Sequence, residues 1–166
     1  MDFSMGPLVA AMMEYEKGTP QRINHFLKVY SFAKMIGEEE GLARETQDIL
    51  EAAAIVHDIG IRPSLEKYGT CGGTWQEKEG PAPAREMLAR LAFPPDAAER
   101  VAWLVGHHHT YRPMGGVDHQ ILVEADFLVN LYEEESGTDA ILNARENIFR
   151  TKAGTRALNL LFALPE

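Results

Sequence analysis

The sequence is short of several things, and each shortage removes a class of protein. It holds a single cysteine, Cys71, in 166 residues, so no intramolecular disulfide framework can form. Cations are outnumbered, with 16 Lys and Arg against 25 Asp and Glu and a formal charge of −9. Wrapping a phosphate backbone calls for clustered Lys and Arg, so no nucleic-acid polymer is expected as a partner. No apolar run approaches the roughly 20 residues that span a bilayer, so no membrane partner is expected either. The opening residues, Met-Asp-Phe-Ser-Met-Gly-Pro, carry neither the basic stretch nor the apolar core of an export signal. These absences lead us to expect a cytoplasmic protein. Period-two alternation, the mark of a half-buried strand, is missing as well.

What is present is an ordinary globular composition, 45% hydrophobic and 25% charged. The length suits one domain with a sizeable core, expected over 1–166 with its centre at about 20–135. Hydrophobic spacing is helical almost throughout, which predicts an all-α bundle of about seven or eight helices. A first helix is expected at Pro7–Lys17. A second starts with Thr19 as N-cap and Pro20 in the first helical position, and stops at Gly41. A third, apolar on all sides near its end, is expected from Arg44 to Ile59. Residues 60–83 contain Gly60, Pro63, Gly69, Gly72, Gly73, Gly80, Pro81 and Pro83, and we expect them to form a long irregular segment beside the site. Further helices are expected at Ala84–Leu91, Pro95–His107, His119–Glu134, Thr138–Arg150 and Thr155–Ala163.

Three places put metal-ligand side chains on otherwise apolar helix faces. His25 shares a row with Val29, Phe32 and Ile36. His57-Asp58 follows Ala-Ala-Ala-Ile-Val. Asp126 shares a row with Leu122 and Val129. Residues three and four apart lie on one face, so each candidate points inward with its apolar neighbours. A lone buried histidine is an ordinary core residue, but two carboxylates on apolar faces must find a cation, a partner or a proton. The same faces supply few Lys or Arg. Two imidazoles and two carboxylates together suit a divalent transition metal: Mn, Fe, Co, Ni or Zn.

The order His25, then His57-Asp58 with Ile-Gly after it, then Asp126 in Glu-Ala-Asp-Phe-Leu resembles the H…HD…D signature of the HD superfamily. Arg22-Ile-Asn-His25 and Ala-Ala-Ile-Val-His57-Asp58-Ile-Gly resemble that family's helices. So do Glu79-Gly-Pro-Ala-Pro-Ala-Arg-Glu-Met-Leu and Val101-Ala-Trp-Leu-Val-Gly-His-His-His. The resemblance spans roughly residues 20–135. It implies an HD-type helical bundle that hydrolyses phosphomonoesters or phosphodiesters, with His25, His57, Asp58 and Asp126 as metal ligands. Some relatives bind a second metal through a His-His pair, which points to His108 and His109 here. In those relatives a histidine stands near Gln76, with Glu77 or Glu79 as substitutes in this chain.

The expected function is a metal-dependent phosphohydrolase acting on a small phosphorylated substrate, a nucleotide being the first to try, through a metal-activated water. Asp58 would be both ligand and proton acceptor. Arg22, one turn before His25, would fork onto a phosphate, with Arg62 and Lys78 as weaker candidates. An HD-type di-iron oxygenase and a non-catalytic metal- or ligand-binding sensor stay open as alternatives, and so does an oligomeric state. Cys71 has no feature that activates a thiolate. Trp75 is expected to anchor its segment, and the acidic runs Glu38–Glu40 and Glu133–Glu135 to be solvated helix ends. Tyr111 and Arg112 are candidates for the site rim.

Overall fold

The computed structural model describes residues 3–166, which form ten helices and no strand. These are α1 (Gly6–Tyr15), α2 (Pro20–Glu39), α3 (Arg44–Val56), α4 (Ile61–Tyr68), α5 (Gly73–Glu79) and α6 (Pro81–Arg90). The chain continues through α7 (Pro95–Val105), α8 (Val117–Glu133), α9 (Thr138–Asn147) and α10 (Lys152–Leu161). None is long and apolar enough to cross a membrane.

The expected all-α class is what the chain adopts. At the centre is α3, whose Leu50 and Ala52–Val56 are fully buried, packed against α1, α2, α7 and α8. An Ala-rich last turn lets neighbouring helices approach closely, while Leu50, Ile55 and Val56 supply the apolar area. The second helix begins at Pro20 behind Thr19, although the Thr19 hydroxyl makes no capping bond. Beyond its end Gly41 takes φ 72°, and Leu42 N–H donates back to Gly37 C=O at 3.1 Å, closing the last turn.

Residues 60–83 are not the irregular segment their composition predicts. They form α4, α5 and the first turn of α6, which raises the helix number above seven or eight. Each breaker sits where a helix tolerates it. Pro63, Pro81 and Pro83 lie in first turns, whose N–H groups lack helical partners in any case. Gly69 ends α4 at φ 68°. Gly60 and Gly80 mark a close crossing: a Cβ on Gly60 would fall 2.5 Å from Gln76 C=O, and one on Gly80 2.6 Å from the Val105 side chain. Smaller boundary shifts follow the same logic. The third helix stops at Val56 rather than Ile59, and the seventh at Val105 rather than His107, leaving their histidines in the turns that follow.

Glu124, fully buried on α8, holds the start of α10. Its carboxylate accepts from the backbone N–H groups of Arg150 and Thr151 at 3.0 and 3.1 Å, and from Thr151 Oγ1 at 2.6 Å. Thr151 in turn caps α10 through Gly154 N–H. Removing one partner of such a buried charged network strands the others. Glu124→Ala should therefore cost about 3 kcal/mol in urea unfolding. A loss below about 1 kcal/mol would contradict this account.

His119 is buried and neutral. Its Nδ1 accepts Gly115 N–H at 2.9 Å, and its Nε2–H donates to His107 C=O at 2.8 Å. Burial lowers its pKa below 6.5. Its contribution to stability is complete above the unfolded value of about 6.5 and is lost as pH falls through the folded value. Between about pH 7 and 5, wild type should lose more stability than His119→Gln, whose amide can serve both partners without titrating. Parallel profiles would refute it.

Candidate metal centre

Three helices bring the four expected donors together: His25, His57 and Asp58 form one group, and Asp126 joins it through both imidazoles. His25 comes from the second turn of α2, His57 and Asp58 from the turn that ends α3, and Asp126 from the middle of α8. His25 Nε2 lies 3.1 Å from His57 Nε2, 3.1 Å from Asp126 Oδ1 and 3.2 Å from Asp58 Oδ2. His57 Nε2 is 3.3 Å from both carboxylates. Two donors each about 2.1 Å from one cation lie about 3.0 Å apart at a right angle and about 3.4 Å apart at the tetrahedral angle. The observed separations fall within that range, and the donor set of two nitrogens and two oxygens suits a first-row transition ion.

The hydrogen bonds behind the imidazoles fix which nitrogen faces inward. His57 Nδ1–H donates to Ala54 C=O at 2.7 Å and His25 Nδ1–H to Glu133 Oε1 at 2.8 Å. Each Nε2 is thereby left with its lone pair toward the other, an arrangement that requires a shared cation or proton. Protonation equilibria reflect the same crowding. Burial disfavours the His25 imidazolium, but the Asp126 hydrogen bond and the two carboxylate charges outweigh it, and its pKa is raised. His57 is raised further: against full burial act the Asp58 charge and hydrogen bonds to both carboxylates. Burial pushes Asp58 and Asp126 the other way, yet the histidines beside them hold both well below the usual carboxylate range.

Asp58 is the bridge to a second group. Its other oxygen, Oδ1, lies 3.5 Å from His108 Nε2, and His108 Nδ1–H is tied to Val105 C=O at 2.7 Å. That Nε2 is buried and has no hydrogen-bond partner. Donor atoms of Asp58, His108 and His109 also lie together. His109, however, is committed elsewhere. Gln76 donates its amide to Cys71 C=O at 2.6 Å, which leaves its Oε1 to accept from His109 Nε2–H at 3.0 Å. Burial, then His108, lowers the His109 pKa to about 4, so the ring is neutral. Glu77 accepts from Thr110 Oγ1 at 2.8 Å and from His109 N–H at 3.2 Å, while Glu79 holds Lys67 and Tyr68. The candidate substitutes for a second metal therefore have other partners, and His107 turns away to stack on Trp103.

The remaining candidates surround the cluster. Arg22 pairs with the buried Glu16 at 3.2 Å. Burial raises the Glu16 pKa, the charges of Arg22 and Arg62 lower it, and Asp58 raises it, so these groups share one electrostatic neighbourhood. Arg62 lies over the Tyr15 ring, and burial, with Glu16 beside it, pushes the Tyr15 hydroxyl up to about 12. Lys78 sits over the Tyr68 and Trp75 rings, which stack at 4.1 Å, so Trp75 joins α4 to α5. Tyr111 packs on Phe127, and its pKa is raised by burial, then by Asp126, so the phenol stays a donor. Arg112 is exposed. Sequence reasoning missed Glu133: within an expected solvated run, it reaches His25. A cavity of about 380 Å³ lined by Phe3, Asp48, Ile49, Ala52, Phe93 and Val101 includes none of the cluster residues.

A family model described as HD domain matches residues 22–145, a span that contains all four donors. No curated protein and no solved structure matches the chain.

Asp126→Asn removes a charged donor from a cluster held together by charge. It should weaken Mn²⁺ binding more than about 100-fold, beyond the range for an outer partner of a ligand. Titration calorimetry on chelator-treated protein measures this. Unchanged affinity would place the cation elsewhere.

Proposed function

The chain belongs to the HD domain family, and on that footing we propose that it hydrolyses a small phosphorylated substrate, a nucleotide or sugar phosphate, at the His25, His57, Asp58 and Asp126 cluster. The observation that carries this reading is the uneven exposure of the four side chains. His57 is fully buried, Asp126 is 6% exposed and His25 10%, whereas Asp58 is 18% exposed. Substrate and water would meet the cluster at Asp58, the residue with one oxygen in the cluster and one outside it.

A bound divalent cation supplies a Lewis acid that acidifies water and draws charge from the phosphoryl oxygens. The chain's own residues do the rest. Asp58 Oδ1 accepts the proton of the attacking water, with His108 Nε2 at 3.5 Å as its neighbour. His57 and Asp126, nearly closed to solvent, hold the centre in place and keep water to the Asp58 side. Arg22 and Arg62 supply positive charge near Asp58 that offsets the acidic surface of the chain and attracts a phosphate. For Arg22 this means exchanging Glu16 for substrate oxygens, an exchange eased by the single long contact between them. The oxygenase alternative calls for a second metal, and the hydrogen bonds of Gln76 and Glu77 count against one.

Phosphate release should appear with Mn, Co, Ni or Fe in a screen over nucleotides and sugar phosphates. Asp58→Asn should lower kcat by at least ~100-fold, and Arg22→Ala should raise KM about tenfold. If metal-loaded wild type releases no phosphate, or Asp58→Asn remains fully active, the hydrolase reading falls.

A further inference from the structure

Three imidazoles present Nε2 to the cluster or its edge, and in each the opposite nitrogen is tied down. For His57 and His108 the acceptor is a carbonyl three residues earlier, Ala54 and Val105. Both histidines lie just past the end of a helix, where last-turn carbonyls lack a helical partner and are free to accept. His25 has no such option. It is the sixth residue of the 20-residue α2, where the nearby carbonyls serve the helix itself. Its Nδ1–H must find an acceptor on another element, and that acceptor is Glu133 Oε1 at 2.8 Å.

The placement of Glu133 makes little sense on other grounds. It is the last residue of α8 and the first of three consecutive acids, at the helix end where the macrodipole disfavours negative charge. The residue is exposed, yet its side chain folds onto the His25 ring and is 28% exposed. Asp126 stands seven residues earlier on the same helix, two turns away and on the same face. Side chains lean toward the helix N-terminus, so the longer Glu133 reaches back while the shorter Asp126 stays near its own turn. The His25 ring thus spans two carboxylates of one rigid helix, with Nε2 at Asp126 and Nδ1 at Glu133.

We propose that Glu133 is a positioning residue for the metal centre: it holds His25 as the Nδ1–H tautomer and aims its Nε2 lone pair at the cation. An acceptor behind a metal-binding histidine fixes its tautomer and ring orientation. The inference rests on the metal-centre reading and is independent of whether the centre hydrolyses phosphate.

Its test is Mn²⁺ affinity by calorimetry on chelator-treated protein, with the Co²⁺ ligand-field spectrum as a second readout. Glu133→Ala should weaken Mn²⁺ binding by about 10- to 100-fold and perturb the Co²⁺ spectrum, with circular dichroism and metal-free melting unchanged. Glu133→Gln, whose amide oxygen still accepts from Nδ1–H, should recover most of the loss. Glu134→Gln removes the same charge one residue away and should bind Mn²⁺ like wild type. The proposal is overturned if Glu133→Ala binds like wild type, if Glu133→Gln is as weak as Glu133→Ala, or if Glu134→Gln is weakened equally. The last two outcomes would reduce Glu133 to part of the general acidic field. Absence of Mn²⁺ binding by wild type would remove the metal centre itself. Absence of phosphate release with normal metal binding would remove only the hydrolase reading.

Discussion

Two imidazole nitrogens lie little more than 3 Å from each other and from two carboxylates inside a helical core, and the rest of the structure is arranged around keeping them there. Dispersed in water these groups would cost nothing. Buried together they are tolerable only if a cation or shared protons neutralise them. The close packing of α2, α3 and α8 is therefore spent on polar groups at its middle, with a dense apolar frame of Val29, Ala53, Ile55, Leu122 and Val129 on either side. A rigid frame matters because donors displaced by half an ångström no longer share one coordination sphere.

The same constraint explains the division of labour among the histidines. His57 and His108 gain orientation from the ends of their own helices, whereas His25 depends on the far end of α8. His109 and His107 are taken out of the cluster by Gln76 and Trp103. Three adjacent histidines in the sequence thus have three different surroundings. Only His108 keeps an unpartnered buried nitrogen beside Asp58.

Glu16, Glu124 and the Asp58–Asp126 pair show three ways of burying a carboxylate in one small protein. Glu124 is satisfied by the backbone and hydroxyl groups that start α10. Asp58 and Asp126 are satisfied by imidazoles. Glu16 has a guanidinium at 3.2 Å but no hydrogen bond to either oxygen, which leaves the Arg22 region the least settled polar part of the core.

The helical class was legible from the hydrophobic period, and the grouping of His25, His57, Asp58 and Asp126 from their apolar neighbours together with the resemblance to the H…HD…D order. A charged residue among such apolar neighbours announces itself. The helices of residues 60–83 were not legible. Glycine and proline signal breaks, but whether a break is a loop or a helix end depends on what crosses it, and Gly60 and Gly80 are explained by each other and by Val105. Nor could the chain reveal that Glu133, exposed like Glu134 and Glu135 beside it, turns its carboxylate to the His25 ring. Composition and period determine which face of a helix is buried. Which residue at the end of one helix meets a ring on another is set by the crossing of α2 and α8, a long-range geometry that no local pattern encodes.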